Sequence, residues 1–346
     1  MLRQLARLTR PLPAAGPGAL AVAVYARPDG ELLPAREAGF EGVACVDDAA
    51  RVLGLLARVW AATPLDPIRA WAEGLTEFVL WMREDDGGWL NFVEDWDGTR
   101  NATGITSATG ENFWQARAVE GLARASLVFG DARATEAVEH GLERARSMVV
   151  PADVRALHLR AALELVRAGW TGLLPDVRRW ADEIAERREH HVLMNNPDER
   201  GDPHLWAHIQ EGVLADAGVL LDDHRLVDRA RRSAEAFLEP IVRKRFDLPT
   251  VTAYDVASVV YGFDRLEEAC DGPWDELAAE ARAWFDGRNP AGAVVYDRER
   301  GRVADGLDGD RLNGNSGAES NVEAGEALLE AAIASAPRIG PGPRVR

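Results

Sequence analysis

Apolar side chains recur at helical spacing along nearly the whole chain. In residues 49–60, Val52, Leu53, Leu56, Val59 and Trp60 share one face; Pro64 and Pro67 then close that helix and open the next over 68–82. Further amphipathic stretches follow at 111–129, 132–148, 152–168, 174–192, 205–221, 225–238, 253–269, 274–285 and 318–334, separated by short breaks rich in Gly, Asp or Pro. Strand signals are confined to the run 18–26 and to residues 294–296. About eleven helices with almost no sheet predict an all-α fold of helical hairpins. No repeat of fixed length is visible, which argues against an open solenoid. The hairpins are therefore expected to close on themselves as an (α/α)6 toroid, one domain over 1–336, with minor β structure at the N-terminus and near 293–305. The tail 337–346, dense in Pro, Gly and Arg, is expected to be disordered.

Charge narrows the choice of partners. The 346 residues carry 40 Lys and Arg against 57 Asp and Glu, a net of -17, which repels nucleic acid and anionic membranes. No stretch approaches the roughly 20 apolar residues of a membrane span. Cys45 and Cys270 are too few and too far apart for a disulfide framework, and both are expected to pack as free thiols. Arg3, Arg7 and Arg10 ahead of an apolar run resemble a signal peptide, but Pro11, Pro13 and Pro17 interrupt it. The run 18–26 is accordingly read as a strand and the protein as cytoplasmic.

Four segments carry candidate chemistry. In GVACVDDAAR, residues 42–51, adjacent Asp47 and Asp48 open a helix with Arg51 one turn on. One carboxylate suffices to cap a first turn, so the other is expected to face a cleft, held by the guanidinium. The stretch 89–117 combines Trp89, Trp96 and Trp114 with Asn91, Glu94, Asp95, Asp97, Glu111, Asn112 and Gln115. Aromatic faces stack on pyranose C–H faces, and carboxylates and amides bond vicinal hydroxyls, although Trp114 also fits a core position and Glu111 a helix cap. The third segment, HLWAHIQEGVLADAG, holds His204, Trp206, His208, Glu211 and Asp216; the two histidines are four apart, but no Glu follows the first, and no metal or other cofactor is expected. The fourth, DGLDGDRLNGNSGAES over 305–320, is a Gly, Asn and Asp loop ending on Glu319 as a helix begins.

Together these segments resemble the helical toroid domain attached to, or encoded beside, bacterial glycosyltransferases and related to six-hairpin glycosidases. Its GYCxDDNARA segment matches residues 42–51, including Asp47, Asp48, Ala50 and Arg51. Its closing DGL…NxNxGAES segment matches 305–320 through Asn313, Asn315, Gly317, Ala318, Glu319 and Ser320, the most specific correspondence. The chain departs from that pattern at Ala49 and at Ala215, Asp216 and Ala217. The resemblance implies a toroid, a carbohydrate ligand (oligosaccharide or polysaccharide) and a glycosyltransferase as a candidate partner.

The leading expectation is a glycoside hydrolase with Asp48 and Glu319 as its carboxyl pair and Asp47 and Glu111 in reserve, since all begin helices that a closed ring would bring to one rim. Trp89, Trp114 and Trp206 would stack on sugar, with Asn91 beside them, while Arg51, His208, Asn313 and Asn315 would position hydroxyls. Two alternatives stand. One is a non-catalytic glycan-binding or scaffolding domain, which the altered motif positions favour. The other is a sugar epimerase or polysaccharide lyase with His208 or Tyr254 as base.

Overall fold

Helices in this chain fall into two kinds, and the difference is in which faces are apolar. Helix α7 (Leu174–Glu186) buries one stripe, Val177, Trp180, Ala181 and Ile184, as a helix with one wet face must. By contrast α6 (Ala152–Arg167) is buried around almost its whole circumference, polar Asp153, Arg155 and His158 included. A helix of the second kind needs neighbours on every side, and a double ring supplies them.

The computed structural model describes residues 1–35, 39–110, 112–196 and 201–335; Glu111 and the tail 337–346 lie outside the described residues. Among those described, six inner helices pack each on the next: α2 (Val46–Ala62), α4 (Phe113–Phe129), α6, α8 (Gln210–Leu221), α11 (Ala253–Ala269) and α13 (Ala318–Ser335). Contact of α13 with α2 closes the ring. Outside them lie α3 (Asp66–Trp81), α5 (Ala132–Ser147), α7, α9 (His224–Ser233) with its continuation α10 (Glu239–Arg243), and α12 (Trp274–Arg282). The sixth outer position belongs to α1 (Leu2–Leu8), which packs on α13. The expected (α/α)6 toroid is thus the fold observed.

Details of the ring differ from the sequence reading at three places. Residues 2–8 form a helix, with Leu5 and Leu8 fully buried and Gln4 Nε2 donating to Ser316 O at 3.1 Å, so the start of the chain covers the last helix. The helix expected over 174–192 stops at Glu186; a hairpin of β7 (Arg188–Glu189) and β8 (Val192–Leu193) follows, turned by His190 at φ 54. The helix expected from 205 begins only at Gln210, because Ala207 is left-handed (φ 58).

The run 18–26 gives two short strands rather than one, residues 294–296 contribute a strand only at Tyr296, and most of the other short strands were not expected. Short antiparallel pairs join β1 (Thr9–Pro11) to β2 (Leu20–Val22) and β3 (Tyr25–Ala26) to β4 (Leu32–Leu33). Another joins β5 (Ala44–Cys45) to β6 (Phe92–Val93). Near the far end, β10 (Tyr296–Asp297) pairs β11 (Arg302–Val303), and β9 (Thr250–Thr252), β12 (Gly306–Asp308) and β13 (Arg311–Asn313) make a three-stranded sheet in the order β13-β12-β9. No described helix is long and apolar enough to cross a membrane.

The seam between α2 and α4 is tight enough to require glycine. A Cβ at Gly121 would stand 2.4 Å from the backbone oxygen of Ala50. Alanine gains about 1 kcal/mol in helix propensity over glycine, but overpacking against a backbone atom costs about 1–3 kcal/mol. Gly121→Ala is therefore expected to lower the urea midpoint although it improves the helix. A midpoint equal to or above the native value would mean that the seam can open.

Candidate functional site

Four of the inner helices, α2, α4, α11 and α13, bring their N-termini and the polar loops before them to a cavity of about 540 Å³. Contributors include Asp47, Asp48 and Arg51 of α2, Phe113 and Trp114 of α4, Tyr254 of α11, and Glu319 and Ser320 of α13. Aligned N-termini favour anionic side chains, and the wall carries Asp47, Asp48, Asp305, Asp308 and Glu319.

Neither Asp47 nor Asp48 caps α2, contrary to the expectation that one of them would: Arg51 holds Asp47, and Asp48 bonds Cys45. Cys45 is the N-cap of α2: its Sγ accepts from Asp48 N at 3.4 Å, and its thiol donates to Asp48 Oδ2 at 3.3 Å. Asp48 is almost entirely buried, and that burial pushes its carboxyl up to about 7; Arg51 pulls the other way, and Asp47 and Glu319 add to the rise. Cys45 in turn is held a thiol by burial and by the same two aspartates. Asp47 accepts from Arg51 Nη2, while its Oδ1 is 3.8 Å from Arg117 Nε and bonds no donor.

Arg51 is the centre of the arrangement. Its buried guanidinium also donates from Nη1 to Glu319 Oε2 at 3.0 Å and to Glu323 Oε1 at 3.2 Å, and it lies 4.8 Å from the centre of the Tyr254 ring. One side chain of α2 thereby orients two carboxylates of α13 and one of its own helix. The charge pattern continues down the axis of the ring. Arg117 donates to Tyr254 Oη, and Glu120 forms ion pairs with Arg124 at 2.9 Å and Arg160 at 2.6 Å. Burial would raise Glu120, but Arg160, Arg124 and Arg117 outweigh it and hold the carboxyl at about 2. Glu323 shows the reverse balance: burial raises it beyond what Arg51 and Arg117 can offset.

The loop 305–317 is folded around the start of α13. Asp305 accepts from Gly317 N at 2.7 Å and from Ser320 Oγ at 2.8 Å, and burial raises its carboxyl against both bonds. Gly317 is needed there because a Cβ would come within 2.7 Å of Val24 O. This clamp presents Glu319, whose side chain is partly exposed, to the cavity.

The ring closure therefore brings together Asp47, Asp48, Arg51, Asn91, Trp114, Trp206, Asn313 and Glu319 from four distant segments. Asn91 is already committed: its Oδ1 accepts from Asp47 N at 3.1 Å and its Nδ2 donates to Thr106 O at 2.9 Å. Trp206 is 41 % exposed and stacks on His204 at 3.8 Å between ring centres, 6° from parallel. The left-handed turn at Ala207 separates it from its neighbour, so that Trp206 faces the cavity and His208 faces the core.

Three expected ligand contacts are corrected. Trp89 is fully buried with Nε1 donating to Val79 O at 2.9 Å, which leaves no face for a sugar. His208 is fully buried between Asn195 Oδ1 (2.5 Å) and Glu211 Oε1 (3.1 Å), so it neither positions hydroxyls nor acts as a base in the cavity. Asn315 shapes the loop, its carbonyl accepting from Asp305 N at 2.8 Å. Glu111, held in reserve for the carboxyl pair, lies outside the described residues.

Several wall residues were missed. Cys45 and Asp305 lie inside the motifs and act through Asp48 and Glu319. Tyr25, Phe40 and Phe92 come from strands and turns whose apolar residues read as core. On α13 the acids Glu319, Glu323 and Glu326 sit at i, i+4 and i+7, a stripe that was legible as one helix face but not as an inward one.

Fold and site together define a six-hairpin (α/α)6 toroid with a carboxylate-lined cavity at one rim. Solved structures with this architecture include a D-mannose isomerase (TM-score 0.71, 11 % identity, 97 % of this chain and 96 % of that one). A family 76 glycoside hydrolase from a bovine Bacteroides thetaiotaomicron strain is similar at TM-score 0.69, 10 % identity, over 97 % of this chain and 76 % of that one. A cellobiose 2-epimerase from Bacillus thermoamylovorans is similar at TM-score 0.68, 13 % identity and 96 % of each chain. At such identities the likeness is one of fold. No model of a known protein family matches the sequence, and neither does any curated protein.

Proposed function

We propose that this protein is a glycoside hydrolase in which Asp48 is the general acid and Glu319 the general base. The observation that carries this reading is a pair of unlike carboxyls on one cavity wall: Asp48 enclosed and raised to about 7, Glu319 partly exposed and bonded to Arg51. An acid poised near neutrality beside an ion-paired carboxylate is the division that glycoside hydrolysis requires. Asp48 gives its proton to the glycosidic oxygen as the bond from that oxygen to the anomeric carbon breaks. Glu319 takes a proton from water, whose oxygen bonds the same carbon. Asp47, held by Arg51 on the cavity wall, adds negative charge that favours the positive charge developing on the ring. Trp206 and Trp114 supply the stacking faces.

Structural neighbours of this fold isomerise, epimerise or hydrolyse sugars according to their names, so carbohydrate chemistry is the shared expectation. Proton abstraction from carbon is less well supported here. Among the described residues the cavity wall contains no histidine, and Tyr254, the alternative base, is raised by burial against the pull of Arg117 and Arg51. The test is product analysis on a panel of oligosaccharides and 4-nitrophenyl glycosides by mass and reducing-end assay. Hydrolysis adds one water to the summed products, and Glu319→Gln is expected to slow it about 10²–10⁴-fold. An isomer of unchanged mass, or no new reducing ends across the panel, would overturn the reading.

A further inference from the structure

The wall beside Asp48 is apolar in a way that the wall beside Arg51 is not. Cys45, whose thiol bonds Asp48, packs with Val24, Ala35 and Phe92, and Tyr25 lies against that cluster. Phe40 extends it, its ring centre 6.5 Å from that of Tyr25 and 6.5 Å from that of Phe92. All three rings line the cavity, Phe40 is 42 % exposed, and Ile105, next to the wall residue Thr106, is 92 % exposed.

Polar groups along this row, the phenol of Tyr25 and the buried hydroxyl of Thr106 apart, are spent inside the protein. Both Glu41 oxygens accept from backbone amides, of Ile105 at 2.8 Å and Thr106 at 3.0 Å. Asn91 is committed to Asp47 N and Thr106 O. A sugar laid against the row would lose water from its hydroxyls and find few partners, a net cost, whereas an alkyl or aryl group would lose nothing. The position of the acid decides what sits there. A general acid protonates the leaving oxygen, so the leaving group lies on the side of Asp48.

We infer that Tyr25, Phe40 and Phe92 form a leaving-group subsite for an apolar aglycone, so that the substrate is a glycoside of a hydrophobic alcohol. This rests on the hydrolytic assignment of Asp48. It is tested with methyl and octyl glycosides of glucose, galactose and mannose in both anomers, kept below micelle-forming concentrations, and with the corresponding disaccharides. Methanol and octanol are similar leaving groups, so a rate difference between the two reports apolar contact rather than leaving ability. The octyl glycoside of the accepted sugar should exceed the methyl in kcat/KM by about tenfold or more. Phe40→Ala should shrink that ratio to within about threefold by lowering kcat/KM for the octyl glycoside more than for the methyl, while Phe40→Leu should keep most of it.

Binding to Asp48→Asn, followed by calorimetry, should show the same preference without turnover. An octyl to methyl ratio near one, a preferred disaccharide, or binding of none of these compounds would overturn the apolar subsite. Octyl preference in binding with no turnover of any glycoside by the native protein would leave the subsite standing and sink the hydrolytic reading.

Discussion

Asp48→Asn is expected to lower kcat by about 10²–10⁴-fold and, at the same time, to make the folded protein more stable above pH 7. The first effect follows from the proton. Asparagine keeps the shape and can still accept from the Cys45 thiol, but it has no proton to give. The loss should be greatest with alkyl or sugar leaving groups, which cannot depart unprotonated, and smallest with 4-nitrophenol, which can. In the native protein the rate should fall as pH rises through about 7, where Asp48 loses its proton, and this limb should vanish in the variant.

The stability effect has a definite sign. An unfolded aspartate titrates near about 3.9. Folded Asp48 titrates near about 7, because burial disfavours its charged form. Between these values the folded state binds more protons than the unfolded one, so stability falls as pH rises and the loss is complete above the folded value. At its largest it amounts to about 4 kcal/mol. Asparagine removes it, so urea midpoints of variant and native protein should nearly coincide at pH 4 and separate by pH 8.5, with the variant higher. A gap independent of pH would show that Asp48 is not held proton-bearing by its surroundings.

Much of the ring was legible from periodicity, since eleven helical segments without a sheet have few ways to bury their faces other than closing. Legibility failed where tertiary partners decide. Trp89 lies in a loop dense in polar residues, yet its amide donates to Gln115 Oε1 at 3.0 Å, its indole to Val79 O, and its carbonyl accepts from Trp114 Nε1 at 3.0 Å. Those partners are 26, 10 and 25 residues away, so no local pattern distinguishes this tryptophan from the half-exposed Trp206. Helix α1 is short and follows from Leu5 and Leu8 only once α13 exists to receive them.

The site was legible for a different reason. Adjacent acids at a helix start exceed what capping needs, and both Asp47 and Asp48 line the cavity while Cys45 supplies the cap. What periodicity could not reveal is the axial charge network. A charged stripe on an inner helix has the same spacing as the solvent stripe of an outer one. Arg117, Glu120 and Arg124 on α4 follow i, i+3 and i+7, as an exposed face would, but Arg117 and Glu120 are buried and Arg124 largely so, Glu120 pairing with Arg160 and Arg124 with Glu164 and Glu326.

Removal of Arg51 should expose how far the ring and the site depend on one side chain. Arg51→Met keeps the apolar stem but leaves Asp47, Glu319 and Glu323 without the guanidinium that bonds all three. Breaking a buried pair by deleting one partner costs about 3–5 kcal/mol, because the remaining charge stays desolvated. Glu323 is the most affected, since it is buried and already raised with Arg51 in place. Its pKa should rise further in the variant, and stability should then be lost progressively as pH increases; the deficit in urea midpoint is expected to be smaller at pH 5 than at pH 8.

Glu323→Gln in the Arg51→Met background should recover at least about 1 kcal/mol, the mark of two groups that act together. Arg51→Lys should fall between, as an ammonium supplies charge without the fork that reaches α2 and α13 carboxylates at once. Because those bonds cross the seam where the last inner helix meets the first, hydrogen exchange should speed up in α2 and α13 before it does in α6 or α8. Uniform acceleration around the ring would mean that the seam is held by apolar packing alone and that Arg51 serves only the orientation of Glu319.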